Sequence, residues 1–147
     1  MIRRANSSDI DRIVELGWRN VEPGAYRDLI EFDERKVRMF VGAILGDEKA
    51  RFLVWDERGS VVGMFAFTTF HNFYYFAGRL VANMVIWSVA PEHRGRTSLK
   101  LLQAAETEAR MMGAKYMLLT GPSGKFDKLS RHCKYDYMEA SYIKGLN

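Results

Sequence analysis

Residues 81–113, VANMVIWSVAPEHRGRTSLKLLQAAETEARMMG, leave the backbone few choices. Val81, Val85, Ile86, Trp87 and Val89 are strand formers, and their run stops at Ala90-Pro91. Proline has no N–H to give a sheet and holds its predecessor extended. A basic turn follows, Glu92-His93-Arg94-Gly95-Arg96, after which Leu99, Leu102, Ala105 and Ala109 recur at the spacing of one helix face. Gly113 is the residue a left-handed C-cap favours. A strand, a tight basic turn and a helix start together form an anion site. First-turn N–H groups lack intrahelical acceptors, the dipole is positive there, and glycine admits close approach of a phosphate. The arrangement predicts a phosphate-bearing ligand at residues 94–98; the alternative is an ordinary solvated basic turn.

A chain of 147 residues has room for one domain, 1–147, with a real core. Its apolar fraction of 48% and charged fraction of 27% are those of a globular protein. No apolar run reaches the roughly 18–20 residues of a membrane span, and no signal-peptide pattern follows Met1. A single cysteine, Cys133, excludes internal disulfides and fits a reducing, cytoplasmic setting. It reads as a small residue in an amphipathic helix rather than a nucleophile. The net charge of +4 and pI near 9.3 admit nucleic acid or a membrane surface, and equally serve a polyphosphorylated ligand.

Taken in order, residues 2–5 predict a short first strand, and Asn6, Ser7, Ser8 and Asp9 offer helix N-caps. Ile10, Ile13, Val14, Leu16 and Gly17 then give a first helix one apolar face. Pro23-Gly24 breaks the chain, and Val37, Phe40, Val41 and Ile44 predict a second helix over 33–45. Strands follow at 51–56 and 61–70 around a turn at 57–60. The next segment, 71–78, holds His71 and the aromatics Phe73, Tyr74, Tyr75 and Phe76. It is either an exposed binding or oligomer surface, or a longer hairpin whose rings cap the core. A strand at 115–120, a short helix at 125–133 and a last strand at 138–144 complete the chain. Lys125, Lys128, Arg131, His132 and Lys134 make that short helix basic, which suits solvent, a cofactor phosphate or a nucleic-acid backbone.

Val-Ala-Pro-Glu-His-Arg-Gly-Arg, with its hydrophobic strand before it and the helix and Gly113-Ala114-Lys115 after it, resembles the acetyl-CoA motif of the GNAT N-acetyltransferases. The family pattern is V-x-P-x-x-R-G-x-G-x-G/A, a helix, then G-A/C and a strand. The opening IRRANSSDIDRIVEL and Gly63 early in its strand are also similar to that family, and Glu139, Tyr142 and Lys144 resemble the closing strand of small members carried by bacterial viruses. The turn is one residue shorter than the commonest form: Arg96 or Thr97 stands at the first family glycine and Ser98 at the second. The resemblance implies an α/β fold of GNAT type, a mixed, mostly antiparallel sheet of six or seven strands with about four helices. It implies acetyl-CoA as cofactor, held by Arg94, Gly95, Arg96, Thr97, Ser98 and Leu99, with Trp87, Ser88 and Val89 along the pantetheine and Ser123 and Lys125 nearby. The reaction implied is acetyl transfer to a primary amine, with Glu22, Tyr26 and Glu31 between the first two helices as acceptor contacts.

Family members often use a glutamate on the strand before the turn as base and a tyrosine in the last helix as acid. Here those positions hold Asn83 (or Met84) and Ser130. The remaining candidates for catalysis are His71, Asn83, Ser88 and Tyr142, each with an ordinary structural role as the alternative. A rival reading keeps the fold as a binding module for a protein partner through residues 70–76. Another makes the chain a nucleic-acid-associated protein through the basic helix. The aromatic segment would also suit a homodimer.

Overall fold

The computed structural model describes residues 1–19, 29, 31–121, 124 and 126–146, and only the backbone of 128–130. Glu22, Tyr26, Ser123, Lys125 and the side chains of Lys128 and Ser130 lie outside the described residues. The strands are β1 (Ile2–Arg4), β2 (Ala50–Glu57), β3 (Ser60–Asn72), β4 (Arg79–Val89) and β5 (Tyr116–Leu118), in spatial order β1-β2-β3-β4-β5. The first four pair antiparallel and β5 pairs parallel with β4, which makes the sheet mixed and mostly antiparallel as expected. The helices are α1 (Ile10–Arg19), α2 (Glu34–Gly46), α3 (Arg96–Met111) and α4 (Asp127–Cys133).

Among the described residues the sheet has five strands, not six or seven, and residues 138–144 form no strand. The alternation Met138, Ala140, Tyr142 suits a half-buried strand, but residues 136–146 are exposed throughout and have no surface to alternate against. Turn chemistry was read correctly. Arg58 and Gly59 both take positive φ, 53° and 87°, the geometry that a two-residue hairpin loop requires.

Two cores flank the sheet. On one face α1 and α2 cover Phe52, Val54, Met64 and Ala66 with Ile13, Leu16 and Val41. On the other, α3 lays Leu101, Leu102, Ala105 and Ala109 over Leu53, Phe65, Phe67 and Val89. Helix α3 comes close because β3 carries Gly63: a Cβ there would meet Leu101 Cδ1 at 2.9 Å and Val89 Cγ2 at 3.3 Å. The start of α1 is fixed by a capping box, in which Asn6 accepts from the Ser8 N–H and Asp9 accepts from the Asn6 N–H at 2.9 Å.

Candidate active site

Strands β4 and β5 share three rungs, Val81–Tyr116, Ala82–Met117 and Asn83–Leu118, and then part. From Met84 to Val89, β4 therefore keeps one edge without a strand partner among the described residues. Just past the fork the register with β3 slips: Ala66 faces Ile86 while Phe67 faces Met84, so Val85 is an extra, bulged residue. At the end of β4 the Ala90 N–H donates to Val62 O of β3 at 2.9 Å. Backbone groups alternate sides along a strand, so those of Trp87 and Val89 face the open edge. Val89 O there accepts from Arg94 Nε at 3.3 Å.

The open edge leads directly to the start of α3. A 3-10 turn at Pro91–His93 engages the N–H groups of His93 and Arg94, and the Leu99 N–H closes the first helical turn on Gly95 O at 3.1 Å. Between them lie the N–H groups of Gly95, Arg96, Thr97 and Ser98, and no side chain among the described residues caps this helix. Gly95 has φ 90° and ψ −109°, and a Cβ built on it would meet nothing within 4 Å. The glycine is thus needed for the backbone angle and stands beside open space. Arg94 and Arg96 are exposed around it. The set is four convergent donors, a positive helix end and two guanidinium groups, and it fits a diphosphate.

The other expected residues scatter. Trp87 packs into the α3-side core, 5.4 Å from the Phe65 ring, and lies parallel to Phe126 at 6.0 Å. Its ring thus belongs to the core while its backbone borders the open edge. Ser88 is buried and its hydroxyl donates to Leu16 O at 3.4 Å, on the α1 side. Asn83 is the last rung before the fork. His71 pairs with Leu80 at the far end of the sheet and its Nδ1 lies 2.8 Å from Gly78 O, so the geometry does not bring it to the fork. Tyr142 is 95% exposed in the C-terminal segment, away from any strand. The aromatic segment is a hairpin tip whose Phe73, Tyr74 and Tyr75 are exposed while Phe76 stacks on Tyr116 at 4.3 Å. The hairpin is long, as one reading had it, but most of its rings are exposed and do not cap the core.

Sequence reasoning missed a cavity of about 310 Å³ between α1, α2 and the sheet. Val85 and Ile86, on the free stretch of β4, form part of its wall. Trp18 and Phe32, which also line it, stack at 4.4 Å. Glu31 is the one ionisable residue among the described residues lining it. Trp18 continues the helix face at four residues beyond Val14, a signal that was available; the bulge left none.

A mixed sheet that forks after the fourth of its five strands, with that strand running into the N-terminus of a helix, is the architecture of the GNAT fold. The sequence model described as Acetyltransferase (GNAT) family matches residues 10–125, and the chain belongs to that family. Similar solved structures include glucosamine-6-phosphate N-acetyltransferase from Arabidopsis thaliana, at 14% identity and TM-score 0.77, covering 100% of this chain and 98% of that one. Ribosomal-protein-alanine N-acetyltransferase from Brucella melitensis aligns at 17% identity and TM-score 0.70, covering 99% and 98%. A predicted acetyltransferase with acetyl-CoA from Clostridium acetobutylicum aligns at 14% identity and TM-score 0.74, covering 100% and 95%. These likenesses concern the fold. No curated protein matches the sequence.

Proposed function

We propose that the protein is an acetyl-CoA-dependent N-acetyltransferase acting on a primary amine. The observation that carries this is the continuity of the β4 open edge with four uncapped amides, Gly95 to Ser98, at the start of α3. These amides, with Arg94 and Arg96, would hold the diphosphate of the cofactor. The backbone of Trp87 and Val89 would hold its pantetheine arm, with Ser123 and Lys125 further along. Bound acetyl-CoA supplies an activated acetyl thioester. The chain's own part is to bind, to orient and to exclude water, with Asn83 on the last rung before the strands part. The acceptor would enter from the α1–α2 side. In this arrangement the amine loses its proton to water, because position 83 holds Asn and not a glutamate base, and the leaving thiolate takes a proton from water, because position 130 holds Ser and not a tyrosine acid.

A second reading, a cofactor-binding protein without turnover that docks a partner, draws support from those two absences and from the exposed rings of Phe73, Tyr74 and Tyr75. Thermal unfolding with acetyl-CoA tests the cofactor directly. A ligand at about a hundred times its Kd adds about 2.7 kcal/mol, which for a chain of this size raises Tm by roughly 5–10 °C. The Arg94→Ala, Arg96→Ala double variant should lose most of that rise. No rise with millimolar acetyl-CoA would overturn both readings. A rise without acetylation of any amine in a screen would select the second.

A further inference from the structure

The cavity between α1 and α2 says what kind of amine the site takes, granted the acetyltransferase reading above. Among the described residues its wall is apolar from α1 (Ile13, Val14) through α2 (Val37, Phe40) to the bulge of β4, and Glu31 is the one carboxylate among them. Glu31 is exposed, which puts it at the rim, whereas Val85 and Ile86 are half-buried. A hydrophilic polyamine or sugar amine would leave its polar groups without partners against this wall. A cavity of about 150 Å³ lined by apolar side chains holds benzene, and this one, at about 310 Å³, has twice that room. The stacked Trp18 and Phe32 rings, inclined by 24°, add an aromatic surface suited to a further ring.

We propose that the acceptor is an apolar primary amine of arylalkyl type, its ring in the α1–α2 cavity and its nitrogen at the β4 bulge. This chemistry also answers the missing base. Glu31 attracts the ammonium at the rim, and burial against Val85 and Ile86 then disfavours the charged form, so the nitrogen reaches the fork neutral. There the nitrogen bonds to the acetyl carbon, the carbon–sulfur bond breaks, and the nitrogen's proton leaves to water while the thiolate takes one up. The amide product is uncharged, and Glu31 no longer holds it.

Calorimetric titration of the full chain with 2-phenylethylamine, 2-phenylethanol and spermidine, without cofactor, tests the assignment. Phenylethylamine should bind and spermidine should not. Val37→Trp, which fills the cavity, should weaken phenylethylamine by about tenfold or more. Glu31→Gln, at an exposed position that carries no risk to folding, should weaken the amine several-fold and leave the alcohol unchanged. Binding of spermidine as tightly as phenylethylamine, or phenylethylamine binding indifferent to both substitutions, would overturn the proposal. The acetyl-CoA-induced rise in Tm, measured on the same preparations, reports separately. Its absence with amine binding intact removes the acetyltransferase reading and keeps the site, and its presence without amine binding does the reverse.

Discussion

At the scale of single residues, three glycines do three different things, and only one is about ligands. Gly95 combines a positive φ with empty space, so its replacement would strain the loop itself. Gly63 has an ordinary φ but no room: a methyl group would press on Leu101, fully buried, and on Val89, 5% exposed. Gly42, within α2, has neither constraint. Gly63→Ala should therefore cost about 1–3 kcal/mol through overpacking. Gly42→Ala should gain about 0.4–1 kcal/mol through the entropy of the unfolded chain and better helix propensity. Urea midpoints of the two variants check this, and equal stabilities would mean that the Leu101 side chain yields without strain. Gly63 could be placed on a strand from sequence. What it makes room for could not, because the approach of α3 depends on a contact between residues far apart in the chain.

At the scale of elements, β1, β2 and the entry to α1 are tied by one guanidinium. Arg3 Nη1 and Nη2 donate to the two Asp9 oxygens at 2.7 and 2.8 Å, and Nε and Nη2 donate to Asp56 Oδ2 at 3.0 and 2.9 Å. Asp9 is buried, and the bonds from Arg3 hold its carboxyl below the usual carboxylate range, aided by the Asn6 N–H and opposed by burial. Asp56 is lowered too, chiefly by the same arginine and then by the Gly59 N–H. A carboxylate depressed on folding stabilises above its unfolded pKa of about 3.9, and that contribution fades as pH falls through the folded value. Arg3→Gln should cost about 1–2 kcal/mol at neutral pH, since the arginine is partly exposed. The gap to the unsubstituted protein should shrink below about pH 4, as paired urea titrations at pH 7 and pH 3 would reveal; a gap that stays constant would mean packing, not charge, is responsible. The same elements mark how far sequence reaches. The strand–turn–helix at 81–113 was legible because proline, glycine and a 3.6-residue period all act locally. The fork was not, because the point where β5 leaves β4 is set by pairing between residues far apart in the chain, such as Asn83 and Leu118, and Ser88 turned to Leu16 O for the same non-local reason.

At the scale of the whole molecule, the question is where the cooperative unit ends. Tyr135 belongs to it: its hydroxyl donates to Glu106 Oε1 at 2.8 Å, which ties the chain after α4 back to α3. Burial and then the Glu106 carboxylate push the Tyr135 phenol well above its ordinary value, so it remains a donor throughout the working range of pH. Residues 136–146 are exposed throughout, with Tyr142 at 95% and Leu146 at 90%, and none enters a strand. A segment that buries nothing adds little to the free energy of unfolding, whatever its composition. Removing residues 137–147 should therefore shift Tm by less than about 2 °C, whereas Tyr135→Phe, which leaves a carboxylate short of a donor, should cost about 1–2 kcal/mol, or roughly 2–8 °C. The contrast separates two accounts of the C-terminus. A fall of more than about 5 °C on truncation alone would overturn the placement of these residues outside the cooperative unit. If Tyr135→Phe dominates, the unit closes on α3 at Glu106, and the three-rung pairing of β5 is as far as the sheet extends.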